Sequence, residues 1–237
     1  YKILVSEVML QQTQVERVIP FYTTFIKKFG TAKKLAGAPL SLVLRRWQGL
    51  GYNRRAKMLQ NAAKALATQK ISTVEELETL AGVGAYTARA VAAFAFNQDV
   101  VFVETNIRTA IIHHFFSDKD GISDEQITEL LEQALPRGKA REWYSALMDY
   151  GASLKRSGIS HNARSITYKK QPSFAGSLRE ARGAILRELA GGPASPSELI
   201  DLLGAERRAQ MRTALRDLWQ ERMVEKVDIG YALPSES

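Results

Sequence analysis

Glu7 stands out among the acidic residues because its neighbours on a helix are apolar. In the helical pattern that begins at Tyr1, the residues at i±3 and i−4 from Glu7 are Leu4, Leu10 and Ile3. A carboxylate in such surroundings needs polar partners or a raised pKa, and raised carboxyl pKa values concentrate at active sites. Glu7 is therefore either a satisfied buried polar group or a candidate proton donor.

A second acidic residue, Glu104, follows the apolar segment Val100–Val103 and precedes a helical pattern that starts at Asn106. A carboxylate in this position can cap the helix, which contributes roughly 1 kcal/mol. Taken alone, capping is the simpler interpretation. An ionised carboxylate can also stabilise a developing positive charge while a second, protonated carboxyl group donates a proton.

Residues 80–88, Leu-Ala-Gly-Val-Gly-Ala-Tyr-Thr-Ala, predict two helices joined by a tight turn. Gly82 and Gly84 suit that turn because glycine adopts positive φ angles and permits close approach of another backbone. The second helix then starts with free N–H groups at the positive end of its dipole, which is an arrangement that binds anions. An ordinary helical hairpin with space-saving glycines is the alternative.

The composition indicates a folded globular protein with a polyanionic partner. Hydrophobic residues make up 45% of the 237 residues, and the formal net charge is +8. The absence of cysteine excludes disulfides, thiolate zinc sites and cysteine-ligated iron–sulfur clusters. No apolar run has the length of a membrane span, and no signal peptide is visible, so a cytoplasmic protein is expected. The chain begins at Tyr1 without an initiator methionine, and we expect that residues precede it.

Several segments resemble the A/G-mismatch adenine glycosylases of the helix-hairpin-helix (HhH-GPD) DNA glycosylase superfamily. Residues 6–14, Ser-Glu-Val-Met-Leu-Gln-Gln-Thr-Gln, match the catalytic helix of that family almost letter for letter. The Gly49-Leu50-Gly51-Tyr52 turn, the hairpin at residues 80–88 and the segment at residues 146–152 also resemble it. The resemblance covers Tyr1 to Ala152.

The resemblance implies roles for individual residues. Glu7 is implied as the general acid, and Glu104 takes the place of the family's essential aspartate with a side chain one methylene longer. Gln12 is implied to wedge into the DNA stack, and Tyr52 to pack beside the lesion. The implied catalytic residues are Glu7, Tyr86, Glu104 and Asn106, and the implied DNA-binding residues are Gln11, Gln12, Thr13, Tyr52, Arg54, Gly82, Val83, Gly84, Tyr86 and Thr87.

Further cations follow the Tyr52 turn. Arg55 and Lys57 are expected either to contact phosphates or to lie on a solvated charged face. The adjacent His113 and His114 point to different sides of a helix and lack an evident third ligand, so no metal site is predicted.

The chain departs from the family in its cofactor and in one lysine. The four cysteines of the family's iron–sulfur cluster are missing, and a basic loop from Arg156 to Lys170 is expected to face DNA in the cluster's place. Tyr86 occupies the position at which strand-cleaving members carry a lysine nucleophile, which implies base excision without efficient strand cleavage. We expect no cofactor. Whether the hairpin binds a structural monovalent cation is left open.

The predicted fold is all-α, a two-lobed helical HhH-GPD glycosylase fold with a C-terminal winged-helix domain. One lobe is expected to comprise residues 1–18 and 107–170, and the other, with the hairpin, residues 19–106. Residues 178–237 follow a boundary at Gln171–Ser177 and contain three helical patterns and a short β hairpin that turns at Asp228. This winged helix either contacts DNA or only docks on the preceding domain.

These features predict a monofunctional base-excision-repair glycosylase that acts as a monomer on duplex DNA with a mismatch or lesion. The expected substrate is adenine opposite G or 8-oxoguanine, and the expected location is the prokaryotic nucleoid. A thymine, uracil or other damaged-base glycosylase on the same fold is the first alternative. A non-catalytic protein that binds abasic or bent DNA is the second, and the presence of both Glu7 and Glu104 argues against it.

Overall fold

The computed structural model describes residues 1–116, 118–169 and 171–235. Within these residues it contains thirteen α-helices and one two-stranded sheet, which confirms the predicted all-α fold with a small C-terminal hairpin. The helices are α1 (Lys2–Leu10), α2 (Val15–Lys28), α3 (Ala32–Ala36), α4 (Leu40–Trp47), α5 (Arg54–Thr68), α6 (Val74–Glu78), α7 (Ala85–Phe96), α8 (Thr105–Phe115), α9 (Asp124–Ala134), α10 (Ala140–Arg156), α11 (Leu178–Leu189), α12 (Pro196–Asp201) and α13 (Arg208–Gln220). No helix in the described part of the chain is long and apolar enough to cross a membrane.

The chain forms two compact units. Unit 1 consists of Tyr1–Ile71, Leu80–Gly82 and Gln171–Ser237, and unit 2 consists of Ser72–Thr79 and Val83–Lys170. Residues 1–18 thus belong to unit 1 and residues 107–170 to unit 2. The lobe boundaries expected from the sequence stay a prediction.

The N-terminal core of unit 1 is built on aromatic side chains from α2 and α4. Phe25 packs edge-on against Phe29 and Trp47, with ring centroids 4.8 and 5.9 Å apart. All three rings are almost completely buried, and such aromatic pairs add roughly 0.5–1.5 kcal/mol beyond the area they bury. The indole N–H of Trp47 donates to the carbonyl oxygen of Gly51 at 3.1 Å, so the core also fixes the turn that carries Tyr52.

The apolar periodicity of the N-terminal residues is not continuous from α1 to α2. Val5 and Val8 are buried in α1, whereas Val15 and Ile19 in α2 are 53% and 58% exposed. The chain turns between the two helices, and Gln12 adopts a φ of +57° there. The periodicity of one helix therefore does not carry over to the next, and α2 buries Val18 and Phe25 instead.

The C-terminal part of unit 1 is a winged helix, as predicted. Strand β1 (Glu225–Val227) pairs antiparallel with β2 (Gly230–Ala232), and Tyr231 of β2 also bridges to Ala194 before α12. The helices α11 and α13 pack together and bury apolar side chains between them and α12, namely Ile185, Leu189, Leu199, Met211 and Leu218.

In unit 2, the loop that follows α10 is bound to the protein through Arg164. Its guanidinium forms an ion pair with Asp120 at 3.0 Å and donates to the carbonyl groups of Phe116 and Lys119. The buried Asn162 donates to Thr109 at 3.2 Å. The loop begins after Arg156, the last residue of α10, and Lys170 lies outside the described residues. The DNA-facing role predicted for this loop is therefore wrong for Arg164, because its cation is used internally.

Candidate active site

Glu7 lies in the middle of α1 and is only 7% exposed. Of the apolar residues expected beside it, Leu4 is buried, whereas Ile3 and Leu10 are half-buried. The carboxyl group is thus largely withdrawn from water in a helix of mostly apolar residues. No basic residue occupies the last turn of α1, so its terminal carbonyl groups must find donors elsewhere.

Arg55 of α5 supplies those donors. Its Nη1 atom donates to the carbonyl oxygens of Val8 at 2.8 Å and Met9 at 3.0 Å, and also to that of Gln11. Its Nη2 atom donates to Thr13 Oγ1 at 3.1 Å. Burial lowers the pKa of Arg55 to about 10. The expected phosphate contact is wrong for Arg55, which instead caps the helix that carries Glu7.

The turn after α1 presents its glutamines differently. Gln12 is exposed, with its backbone in the left-handed region at φ +57°. The Nε2 atom of Gln11 lies 3.4 Å from the carbonyl oxygen of Gly82, so the structure brings this turn to the hairpin glycine. Thr13 is held by Arg55 and donates to the carbonyl oxygen of Gln11 at 3.3 Å. Hydrogen bonds of Gln11 and Thr13 therefore hold the turn on both sides of Gln12.

The Tyr52 turn lies beside Arg55. Tyr52 has a φ of +47° and is half-buried, with its ring 5.2 Å from the Arg55 guanidinium. Arg54 is exposed, as a phosphate-binding residue must be. Lys57 is not available for that role, because its ammonium group lies against the carbonyl groups of Glu221 and Arg222 and burial lowers its pKa.

The hairpin between α6 and α7 has the predicted form of two helices joined by a tight turn. Gly82 has a φ of +77°, and an added Cβ would lie 2.8 Å from Cβ of Met58, so this position requires glycine. Gly84 has a φ of −94° and precedes α7, and an added Cβ would meet no protein atom within 4 Å. The positive φ expected at Gly84 is therefore wrong; its glycine instead leaves open space in front of the helix.

The start of α7 has neither a side-chain cap nor an acidic residue in its first turn. A helix start of this kind is where a bound anion is favoured. Val83 and Thr87 are buried, and Tyr86 is 37% exposed with its ring edge-on to Phe102 at 5.8 Å. Val83 and Thr87 can therefore offer DNA their backbone groups rather than their side chains.

Glu104 caps α8. Its Oε1 atom accepts hydrogen bonds from the backbone N–H groups of Asn106 at 2.6 Å and Ile107 at 2.7 Å, and Oε2 accepts from Thr105 Oγ1 at 3.1 Å. The simpler interpretation of this residue, a helix cap, is thus correct. A cap does not exclude a role in chemistry, because the same helix N-terminus stabilises a negatively charged group. Glu104 remains half-buried, which leaves part of its carboxylate accessible.

The segment that leads to Glu104 is fixed by Tyr144 of α10. The Tyr144 hydroxyl donates to the carbonyl oxygen of Val100 at 3.0 Å, and the N–H of Phe102 lies 3.4 Å from that hydroxyl. Burial raises the pKa of Tyr144 to about 12. The tyrosine therefore stays protonated and keeps its donor.

The segment that follows Glu104 is fixed by the same helix, about two and three turns beyond Tyr144. An added Cβ at Gly151 would lie 2.1 Å from the carbonyl oxygen of Asn106, so α10 touches the backbone of α8 there. Lys155 Nζ donates to Asn106 Oδ1 at 2.7 Å. Burial lowers the pKa of Lys155, while Glu104 raises it and Arg108 lowers it further. Sequence reasoning missed Lys155, although its i+4 spacing from Gly151 places both on one face of α10.

The three histidines lie at the other end of α8. His113 Nδ1 and His161 Nε2 are 3.2 Å apart, and His114 Nε2 is 2.7 Å from the hydroxyl of Tyr150. Across residues 1–116, 118–169 and 171–235, no group of three or more His, Cys, Asp and Glu side chains is arranged to hold a metal ion. The hairpin cation and the other cofactor expectations stay predictions.

The candidate groups are divided between the two units. Unit 1 contains the buried carboxyl group of Glu7 and the exposed side chain of Gln12, and unit 2 contains Glu104, Asn106 and the start of α7. Unit 1 therefore offers a candidate proton donor, and unit 2 offers a carboxylate held by N–H groups and a helix start without a side-chain cap.

Sequence comparisons identify relatives of this chain. The model of the HhH-GPD superfamily of base excision DNA repair proteins matches residues 5–137. The adenine DNA glycosylase of Mycolicibacterium smegmatis is 35% identical over 259 residues, which cover 100% of this chain and 88% of the relative. The human adenine DNA glycosylase is 36% identical over 162 residues, which cover 65% of this chain and 30% of the relative.

Two solved structures share the fold. A thermostable thymine-DNA glycosylase superimposes with a TM-score of 0.55 and 26% identity, over 64% of this chain and 73% of the other. A trapped endonuclease III–DNA covalent intermediate gives a TM-score of 0.54 at 19% identity, over 75% of this chain and 79% of the other, and supports the fold alone. The match to the family model over residues 5–137 and the 35% identity to the M. smegmatis relative show that the chain belongs to the HhH-GPD superfamily of base excision DNA repair proteins.

Proposed function

We propose that the protein is an adenine DNA glycosylase, which hydrolyses the N-glycosidic bond of an adenine opposite G or 8-oxoguanine in duplex DNA. The observation that carries the proposal is the pair of carboxyl groups, Glu7 buried in α1 and Glu104 capping α8. They lie in a chain that is 35% identical over its whole length to the adenine DNA glycosylase of M. smegmatis.

Glu7 acts as the general acid. When the C1′–N9 bond breaks, its electron pair goes to the leaving adenine, and a proton from the carboxyl group neutralises the base. A carboxyl group withdrawn from water favours its neutral form, which is the form that can donate. Glu7 is 7% exposed among apolar side chains, and proton donation of this kind contributes roughly 10²–10⁴-fold.

Glu104 acts as the carboxylate that faces the sugar. The departing base leaves an oxocarbenium-like cation at C1′, which a nearby negative charge stabilises. Water then adds to C1′ and passes its proton to the carboxylate. The N–H groups of Asn106 and Ile107 hold Glu104, and α10 holds Asn106 through Lys155. The packing of α8 on α10 thus positions the carboxylate of Glu104.

DNA binding uses the exposed groups of both units. A base that is excised must leave the stack, which opens a gap in the duplex. We assign Gln12 and Tyr52 to that gap. The start of α7, with the open space before Gly84, binds a backbone phosphate, and the exposed Arg54 adds a second phosphate contact. Such contacts set the register of the protein on the duplex.

The protein removes the base without cutting the strand. Strand cleavage by glycosylases needs an amine that attacks C1′, and the hairpin carries Tyr86 where the resemblance implies a lysine in lyases. We therefore expect the reaction to leave an abasic site. We also propose that the protein acts as a monomer at the nucleoid. Treatment with borohydride during the reaction should trap no protein–DNA adduct; a stable adduct would contradict this part of the proposal.

A panel of duplexes tests the function. Each duplex carries one candidate base: A opposite 8-oxoguanine, A opposite G, or T, U or hypoxanthine in a mismatch. Strand breaks are scored before and after alkali. The proposal predicts alkali-dependent breaks at A only. Breaks at T or U would move the substrate to that of the thymine-DNA glycosylase with the similar fold. Tight binding to abasic DNA without any breaks would favour a non-catalytic protein.

A further inference from the structure

Tyr52, which we assign to the gap in the duplex, is held by the C-terminal part of unit 1. Arg179 of α11 donates from Nη1 to the Tyr52 hydroxyl at 2.8 Å. The Arg179 guanidinium also lies over the Tyr52 ring, 4.9 Å from its centroid. Gln171, in the segment before α11, donates to the same hydroxyl. The tyrosine is thus bound through both its hydroxyl group and its ring face.

Arg179 is itself fixed by the segment that precedes α11. Its Nη2 atom donates to the carbonyl oxygens of Pro172 at 2.7 Å and Ser173 at 3.3 Å. Phe174 lies against the guanidinium with its ring centroid 5.9 Å away. A planar guanidinium that is held by several acceptors loses little further freedom when it orients another group. Arg179 is therefore a rigid support rather than a flexible surface cation.

Tyr52 is also supported by Arg55, whose guanidinium lies 5.2 Å from the ring centroid. Arg55 Nη2 also lies 3.3 Å from the carbonyl oxygen of Gly51. The Tyr52 backbone is in the left-handed region at φ +47°, which costs an L-residue on the order of 1 kcal/mol or more. Such a conformation persists only where its surroundings determine it, and here two guanidinium groups lie 4.9 and 5.2 Å from the centroid of one ring.

The winged helix is seated on the helices next to this turn. Gln48 Nε2, just after α4, donates to the carbonyl oxygen of Leu186 in α11 at 3.2 Å. Lys57 in α5 donates to the carbonyl groups that follow α13. Arg182 and Glu221 form an ion pair at 2.6 Å that joins α11 to the end of α13. These contacts hold α11, and with it the backbone of Arg179, in place relative to Tyr52. They do not involve the side chain of Arg179.

We infer that the winged-helix domain presets Tyr52 for insertion into DNA, with Arg179 as the positioning residue. The inference rests on the proposed function, in which Tyr52 enters the gap beside the lesion. A ring that is already oriented loses less conformational freedom on binding, which raises affinity and improves alignment of the substrate. The domain then positions Tyr52, which lies in the turn between α4 and α5. This role is separate from any contact that the domain itself makes with DNA.

Binding and fluorescence measurements on an uncleavable duplex test this inference. The duplex carries a tetrahydrofuran abasic-site analogue with 2-aminopurine as the adjacent base, whose fluorescence rises when its stacking is disrupted. We expect Arg179→Ala to lose most of the rise that wild-type protein produces at saturation. Affinity should fall about tenfold, as for the loss of a hydrogen bond to a charged group together with a ring contact. Arg187→Ala is the matched control, because Arg187 is exposed on the same helix.

A double-mutant cycle shows whether Arg179 acts through Tyr52. In the Tyr52→Ala background, Arg179→Ala should change affinity less than twofold, because the residue it positions is gone. An equal effect of Arg179→Ala in both backgrounds would overturn the inference and indicate a direct DNA contact or a general loss of structure. Arg179→Lys keeps the charge but not the planar fork, and it should recover less than half of the fluorescence rise. Full recovery would also overturn the inference.

These outcomes are independent of catalysis. The duplex contains no cleavable base, so a wild-type protein that failed to excise adenine would contradict the proposed function and leave the Arg179 results intact. Conversely, adenine excision with an unchanged fluorescence rise in Arg179→Ala would contradict only the role of Arg179.

Discussion

The two carboxyl groups are supported in different ways. Glu7 lies in the middle of α1, where its surroundings are apolar, and Arg55 stabilises only the end of that helix. Glu104 lies at the start of α8, where two N–H groups bind its carboxylate directly. A mid-helix position offers a side chain no free backbone donors, whereas a helix start offers up to four. The two carboxyl groups therefore differ in their support: N–H groups at a helix start bind that of Glu104, whereas that of Glu7 lies in a buried stretch of helix.

The residues that support the two carboxyl groups also bind different parts of the protein. Arg55 binds carbonyl groups of α1 and the turn after it, so it fixes the backbone that carries Glu7. Lys155 binds the side chain of Asn106, and Gly151 allows the α8 backbone to approach α10. The comparison predicts that substitutions near Glu104 move the carboxylate, whereas the chemistry of Glu7 depends mainly on its own side chain.

The largest expected effect is that of Glu7→Gln. Loss of the proton donor should lower the single-turnover rate of adenine excision roughly 10²–10⁴-fold. Affinity for a duplex with an abasic-site analogue should stay within about twofold, because an amide of the same shape replaces the carboxyl group. Glu16→Gln, at an exposed position in the first turn of α2, serves as the control and should retain the wild-type rate. A wild-type rate in Glu7→Gln would remove Glu7 from the mechanism.

Glu104→Gln separates the cap from the chemistry. The amide oxygen can still accept from the N–H groups of Asn106 and Ile107, so the free energy of unfolding should change by less than about 1 kcal/mol. The excision rate should fall on the order of 10²-fold, because the charge that faces the sugar is lost. Denaturant unfolding and single-turnover kinetics measure the two effects. Unchanged kinetics with lower stability would reduce Glu104 to a cap.

Gly151→Ala tests the contact between α8 and α10. The new methyl group would lie 2.1 Å from the carbonyl oxygen of Asn106, so the helices must separate. We expect a loss of about 1–3 kcal/mol in the free energy of unfolding, together with slower excision as Glu104 shifts. Gly183→Ala is the control. Gly183 lies inside α11, and its new methyl group would meet no packing neighbour within 4 Å, so the free energy of unfolding should rise by about 0.5–1 kcal/mol. Equal stability of the two variants would contradict the close contact.

Lys155→Met has the smallest expected effect, about a tenfold loss of excision rate, comparable to one charge-assisted hydrogen bond. Its pH dependence is more specific. Burial lowers the pKa of Lys155, so between that lowered value and the ordinary lysine pKa the unfolded chain binds more protons than the folded one. The free energy of unfolding should therefore rise with pH across this window. Denaturant unfolding at several alkaline pH values should show a smaller rise in Lys155→Met than in Lys139→Met, an exposed control. Equal slopes would contradict the buried position of Lys155.

The local features of this fold could be predicted from the sequence because their determinants are close together along the chain. The hairpin follows from the glycines of residues 80–88 and their helical flanks, and its Gly82 has the expected positive φ. The winged helix follows from three amphipathic segments and the turn at Asp228. Ser195 caps α12 three residues before Glu198, which is a short-range signal of a helix start.

The contacts that position the site could not be predicted, because they join residues far apart in sequence. Lys155 and Asn106 are 49 residues apart, and Arg179 and Tyr52 are 127 residues apart. Adjacent arginines at positions 54 and 55 look equivalent in the sequence, yet one is exposed and the other is buried under α1. Helical periodicity indicates which face of a helix is buried, but not which cation will find carbonyl groups there.

The most direct test of the two-carboxylate mechanism measures free adenine. Wild-type protein in excess over a duplex with A opposite 8-oxoguanine should release adenine, identified by chromatography and mass, at the rate at which alkali-labile sites form. Glu7→Gln should bind the same duplex but release adenine at least about 100-fold more slowly. Alkali-labile sites without free adenine, or equal release by both proteins, would contradict the account.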